Sequence, residues 1–257
     1  MQKKLITCDC LVIGAGPAGL SAAIAAAESN LSVIIAEYLP SPGRKLLISG
    51  SGKCNITNRL LPEEFAQRFL SNFRFVRPAI FDFPPEDLRN SFDRLGVPLV
   101  APDGFHFFPK SMCAKDVLNA LLDRCQTLKV KIIPNCAIDS LQLHNGAICG
   151  ASTSTQSFES SRVILACGGM SYPALGGRGS GYKLSQQANH TIVLPVPALV
   201  GLKSAEAWAT KLPGVILADS TVKFFDCYSG RGELIFTHSG VSGPAILDIS
   251  GQVTTVR

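Results

Sequence analysis

The sequence predicts an α/β fold in which a dinucleotide-binding βαβ unit of Rossmann type is followed by a β-meander. Three observations predict it. Residues 8–13 form a short apolar run, broken only by Asp9, that leads into Gly14-Ala15-Gly16-Pro17-Ala18-Gly19 and then into Ala-rich sequence to Ser29, which reads as strand, tight turn and helix. A second apolar run at 32–36 ends at Glu37, eighteen residues beyond Gly19, where such a unit places an acid. Beyond residue 129, short runs with strand character are separated by turn residues, Asn145-Gly146 being a hairpin signal.

The first unit carries the chemistry. Gly14 permits the tight turn, Gly16 lets the main chain approach a pyrophosphate, and Gly19 allows the helix to pack closely on the strand. Ala15, Pro17 and Ala18 complete the turn and open the helix, whose first N–H groups have no intrahelical partner and suit phosphate oxygens. Glu37 is expected to accept hydrogen bonds from ribose hydroxyls, which favours a free 2′-hydroxyl and so FAD or NAD over NADP. The motif lies within the first twenty residues, and the rest of the chain does not continue as simple βα units. Both features favour FAD.

Pro85 is placed to open a helix ending at Gly96, and Ala114–Thr127 has apolar positions Val117, Leu118, Leu121 and Leu122 at helical spacing. Strands are expected at 130–134, 138–144 and 147–153, and again at 163–166 before Gly168-Gly169. A meander that returns to the parallel sheet fits this order.

Composition narrows the function classes. The 257 residues are 46% hydrophobic and 17% charged, with 23 Gly and 16 Pro, which excludes a disordered or fibrous chain. The formal charge of +5 is scattered, which argues against nucleic acid as a specific partner. Nine cysteines without a C-x-x-C pair suit reduced thiols in a cytoplasmic setting. Four dispersed histidines and no H-E-x-x-H leave no metal site in view. The apolar stretch 11–27 is broken by Gly14, Gly16, Pro17 and Gly19, so neither a membrane span nor a targeting segment is expected.

Four further blocks run Gly43-Arg44-Lys45-Leu46-Leu47-Ile48-Ser49-Gly50-Ser51-Gly52-Lys53-Cys54-Asn55-Ile56-Thr57-Asn58, Phe107-Phe108-Pro109, Ala166-Cys167-Gly168-Gly169-Met170-Ser171-Tyr172-Pro173, and Gly232-Glu233-Leu234-Ile235-Phe236-Thr237-His238-Ser239-Gly240-Val241-Ser242-Gly243-Pro244. On these blocks the chain resembles the YhiN/BaiN-type family of FAD-dependent oxidoreductases. The resemblance implies a glutathione-reductase-like FAD domain over 1–190, with a helical excursion at about 60–127, and an incomplete β-rich insertion or substrate domain over 191–257. It also implies that family members continue past the last block, so a C-terminal partner segment is expected to complete the flavin side.

Arg44 and Lys45 follow the second strand, where their charges would meet the pyrophosphate. Gly50, Ser51, Gly52 and Asn55 suggest a loop whose backbone approaches the flavin or ribityl chain. That loop is no nucleotide-triphosphate site, since Leu47 and Cys54 stand where a P-loop needs Gly and Ser or Thr. Cys54, beside Lys53 in a polar loop, is a candidate low-pKa thiol. Family analogy suggests Ala137 as a main-chain contact for adenine, and Cys167 with Gly168 as a turn near the dinucleotide. Cys8, Cys125, Cys136 and Cys149 read as core filler. Tyr172 and His238 suit proton transfer, although a structural or positioning role fits each better, and no catalytic residue is assigned.

The resemblance implies oxidation or reduction of a small organic substrate, with reduction of an activated C=C bond and NAD(P)H as donor. One competing reading is an FAD- or ADP-binding fragment that does no chemistry without a missing C-terminal segment. Another is a tRNA-associated flavoprotein, which would need a basic surface.

Overall fold

The computed structural model describes residues 3–69, 72–224 and 228–255. They separate into two compact units, one ending at Ile192 and one beginning at Val193.

In the first unit, β1 (Lys4–Thr7) and β2 (Cys10–Ile13) precede α1 (Pro17–Glu28) and β3 (Val33–Ala36). The excursion that follows contains β4 (Thr57–Asn58), α2 (Pro62–Gln67), α3 (Phe73–Asp82), α4 (Pro85–Arg94), β5 (Leu99–Val100), β6 (His106–Pro109) and α5 (Ala114–Thr127). The chain then forms β7 (Lys131–Ile133), β8 (Ser140–His144), β9 (Ala147–Ser152), β10 (Gln156–Glu159), β11 (Arg162–Leu165) and α6 (Ser180–Gln187). The anticipated helices are present, and β7, β8, β9 and β11 fall within a residue or two of the expected strands.

Four strands, in the order β11-β2-β3-β7, make a wholly parallel sheet. Such a sheet is stable only when both faces are covered, which is why its strands read as continuous apolar runs. Alternation divides β2 and β3 between two cores. Cys10, Val12, Val33 and Ile35 face Leu20 and Ala23 of α1 and Val117, Leu118, Leu121 and Cys125 of α5. Leu11, Ile13, Ile34 and Ala36 face Ala151 and Phe158 of a second sheet, together with Leu184 of α6. An Arg124–Glu28 ion pair at 2.6 Å joins α5 to α1 at the surface.

The second sheet has the order β1-β10-β9-β8. Asn145 and Gly146, with φ of 52° and 79°, make the tight turn between β8 and β9 that the Asn-Gly pair predicts. Neither β1 nor β10 was expected from sequence, because Lys4, Thr7, Gln156, Ser157 and Glu159 dilute the apolar signal. Their backbones nevertheless pair in parallel register, Lys4 opposite Gln156 through Thr7 opposite Glu159.

The second unit contains β12 (Leu202–Lys203), β13 (Ile216–Phe224), β14 (Tyr228–Thr237), β15 (Gly240–Ser242) and α7 (Pro244–Thr255). Its antiparallel sheet has the order β12-β15-β14-β13. Helix α7, unanticipated, buries Ala245, Ile246 and Ile249. Among the described residues no helix is long and apolar enough to cross a membrane.

Candidate functional site

The turn after β2 is shaped by contacts that forbid side chains. At Gly14 φ is +107°, and an added Cβ would lie 2.5 Å from the Ala166 carbonyl oxygen. At Gly19 a Cβ would lie 1.9 Å from the carbonyl oxygen of Gly14, so α1 can approach β2 only with glycine there. Gly16 differs: no atom lies within 4 Å of where its Cβ would be. That open space belongs to a cleft of about 720 Å³ lined by Gly14, Gly16, Pro17 and Ala18. This volume falls within the roughly 300–1,000 Å³ of small-molecule sites.

Two helices begin at this cleft. Helix α1 has Gly16 as N-cap and α6 has Gly179, and neither has a side-chain cap or an acidic residue in its first turn. Their leading N–H groups and positive dipole ends are left to an anion. Such an end suits a pyrophosphate, and the bare Gly16 backbone admits one at close range. The residues present therefore fit a dinucleotide.

Glu37, 8% exposed at the end of β3, lines the same cleft. Its Oε2 accepts the Ala15 N–H at 2.6 Å and its Oε1 accepts the Leu39 N–H at 2.8 Å. A carboxylate oxygen has two acceptor positions, so each retains one for a ribose hydroxyl. Ala15 and Gly19 are buried beneath the turn and do not line the cleft.

The far wall comes from distant sequence. Ala137, Cys167 and Gly168 all line the cleft, as do Arg178, Gly181 and Tyr182. Cys167 Sγ lies 3.5 Å from the Ile13 carbonyl oxygen, and burial pushes its thiol pKa up. Arg44 and Lys45 also line the cleft. The Arg44 side chain has no hydrogen-bond or ion-pair partner among the described residues. Lys45 Nζ donates to the Ser171 hydroxyl and, at 3.3 Å, to the Ser171 carbonyl oxygen, and lies 5.6 Å from the Tyr172 ring centroid.

Most of the remaining residues of interest lie elsewhere. Gly50, Ser51, Gly52, Cys54 and Asn55 do not line this cleft. Gly50 packs close to Asn55 and Phe108, where a Cβ would come within 2.6 Å of the Asn55 nitrogen. Cys54 is 5% exposed in the helical-side core, so burial raises its pKa where a polar loop was expected to lower it. Its sulfur is packing material. Cys149, expected in the core, is exposed on β9, and Cys8 is only half-buried, whereas Cys125 and Cys136 are buried as expected. Cys227 lies outside the described residues. The Tyr172 ring is 60% exposed, and His238 is exposed in the turn between β14 and β15 of the second unit.

Comparison with known proteins places these features in a family. The HI0933-like protein Rossmann domain matches residues 8–252. The chain belongs to that family. Among its curated relatives, the 3-dehydro-bile acid delta(4,6)-reductase of Clostridium scindens (strain ATCC 35704 / DSM 5676 / VPI 13733 / 19) is 33% identical, over 94% of this chain and 59% of that protein. The ribosomal RNA dihydrouridine synthase of Escherichia coli (strain K12) is 29% identical, over 94% of this chain and 60% of that protein. The chain thus spans about three fifths of the length of these relatives. A flavocytochrome c3 fumarate reductase in its open conformation superposes with a TM-score of 0.60 at 15% identity, over 82% of this chain and 47% of that one. The HI0933-like chain has an α/β Rossmann-type fold.

Proposed function

We propose that this chain is the FAD-holding part of an oxidoreductase that saturates a C=C bond conjugated to a carbonyl group. The observation that carries the reading is the convergence of two uncapped helix N-termini, the bare Gly16 backbone and the Glu37 carboxylate on one cleft. The N–H groups at the start of α1 hold the pyrophosphate, the free acceptor positions of Glu37 take ribose hydroxyls, and the Arg44 guanidinium adds charge at the rim. Ala137 offers its backbone to adenine, and the first turn of α6 meets the far end of the cofactor. Bound FAD would supply hydride transfer, leaving position and electrostatics to the protein.

The names of the relatives support the reaction class. A delta(4,6) double-bond system next to a 3-oxo group and the 5,6-double bond of uridine are both activated by a conjugated carbonyl. Saturating either adds a hydride to one carbon and a proton to its neighbour, with NAD(P)H oxidised to NAD(P)+ as the net donor. The greater identity to the bile-acid enzyme favours a small organic substrate. The dihydrouridine synthase likeness supports a second reading, in which the conjugated bond belongs to an RNA base.

The visible spectrum of the purified chain with FAD, followed by anaerobic NADH or NADPH and then a 3-oxo-4,6-diene steroid or an rRNA fragment, tests these readings. A flavin spectrum that bleaches with one nucleotide and returns with one acceptor is the expected result. Failure to bind FAD overturns the proposal. Binding without bleaching supports an FAD-binding piece that depends on further sequence for chemistry.

A further inference from the structure

We propose that residues 169–179 form an Ω-shaped latch across the mouth of the cleft, fastened by Arg178 on Tyr38 and Lys45 on Ser171, which sets how fast the cofactor enters and leaves. The proposal rests on reading the cleft as the FAD site.

The loop closes on itself. The Gly179 N–H donates to the Gly169 carbonyl oxygen at 3.2 Å, bringing its ends together as in a compact Ω-loop. At the flanks, Gly168 and Gly179 both have φ of +71°, a conformation that glycine adopts without penalty and that suits a pivot. Between them, the Gly177 N–H donates to the Tyr172 carbonyl oxygen at 3.3 Å. Gly177 also sits so close to Ser171 that a Cβ would lie 1.8 Å from its carbonyl oxygen. The loop is therefore held together by its own backbone and joined to its neighbours through glycines.

Its outer attachments are few. Met170 and Tyr172 are 58% and 60% exposed, and the loop contributes no buried apolar side chain. Hydrophobic burial does not anchor it, so the attachment falls to two polar clasps. Arg178 donates to the Tyr38 hydroxyl and stacks over the Tyr38 ring, 4.6 Å from its centroid. Lys45 Nζ reaches across to the hydroxyl and carbonyl of Ser171.

Each clasp joins the loop to the segment that follows β3. Gly169, Gly176, Gly177 and Arg178 of the loop line the cleft, as do Tyr38 and Lys45. A segment held by exposed contacts and little burial belongs to the readily opened end of a protein's local stabilities. In the proposed closed form the clasped loop lies in the path of a cofactor moving to or from the N-termini of α1 and α6. The open fraction then scales both the apparent association rate and the escape rate.

The test is stopped-flow flavin fluorescence on wild-type protein and on the Arg178→Ala and Tyr38→Phe variants, with hydrogen exchange of residues 169–179 measured without ligand. Arg178→Ala is expected to raise association and dissociation rates together by about fivefold, the scale of one exposed cation–π contact or net hydrogen bond, and to leave Kd nearly unchanged. Tyr38→Phe keeps the ring and loses the hydroxyl, so its effect is expected to be smaller. Exchange in the loop is expected to quicken in both variants. A rise in dissociation alone, with weaker Kd, would make Arg178 a cofactor contact and overturn the latch, as would unchanged rates. Should the wild type bind no FAD, the functional reading fails, and unchanged exchange in the variants would separately refute the clasps.

Discussion

The backbone N–H of Ala15 donates to the carboxylate of Glu37 at 2.6 Å, tying the glycine turn after β2 to the end of β3. The second carboxylate oxygen holds the Leu39 N–H at 2.8 Å. One buried side chain thus orders both the phosphate-binding turn and the segment that leads to Tyr38. Glu37→Ala leaves both donors unsatisfied and is expected to cost about 2–3 kcal/mol of stability, the scale of hydrogen bonds to a charged group. Glu37→Gln keeps one acceptor and is expected to lose less. Urea unfolding with a parallel FAD titration measures both effects.

Gly16 and Gly19 stand three residues apart and separate folding from binding. Gly19→Ala places a Cβ 1.9 Å from a backbone oxygen and is expected to destabilise the chain by about 3 kcal/mol or more. Gly16→Ala meets open space and is expected to cost at most about 1 kcal/mol as a poorer N-cap. Its methyl group projects where the pyrophosphate would lie, so FAD affinity is expected to fall on the order of tenfold, comparable to losing a charge-assisted hydrogen bond. Thermal melts and flavin titrations of the two variants are expected to rank them in opposite orders.

Thiol reactivity is expected to follow burial. Cys149 is exposed, whereas desolvation raises the pKa of Cys54 and pushes Cys125 up to about 11. Iodoacetamide at pH 8, read by peptide mass spectrometry, is expected to label Cys149 well before Cys54 or Cys125. Early labelling of Cys54 would restore it as a reactive thiol.

The same burial predicts a loss of stability at high pH. Between the ordinary thiol value of 9.0 and about 11, the unfolded chain releases the Cys125 proton while the folded chain keeps it. The folded state then binds more protons, so stability falls as pH rises through this window. Cys125→Ala is expected to flatten that decline in denaturant melts at pH 8.5, 9.5 and 10.5.

At the other extreme, Asp103 accepts the N–H groups of Phe105 and His106 and pairs with His106 Nδ1 at 2.7 Å, which holds its carboxyl at about 2. Its contribution is present above the ordinary value of 3.8 and is lost as pH falls through about 2. Asp103→Asn is expected to flatten the fall in stability below about pH 4, as denaturant melts at acid pH would measure.

The βαβ unit was legible because its signals are local. Gly14, Gly16 and Gly19 act within one turn, and Glu37 follows at the spacing set by one helix and one strand. Helix α5 was legible from apolar spacing alone, and the Asn145-Gly146 turn from its residue types. Strands β1 and β10 were not, since a polar strand announces itself only through the backbone of its partner. Cys54 misled because a neighbouring lysine and glycines describe the chain around a thiol and say nothing of the core into which it turns.

The sequence by itself determined that a parallel α/β unit with a phosphate-binding turn would form, because strand period, helix period and turn chemistry operate over a few residues. Only the tertiary structure decided what that turn would face. Pairing β11 beside β2 carries Ala166, Cys167 and Gly168 to the turn from about 150 residues away, and α6 and the 169–179 loop follow them. No local pattern encodes that approach, because it depends on which strand edges remain free once the first unit has formed and on the burial gained when the second sheet covers its open face.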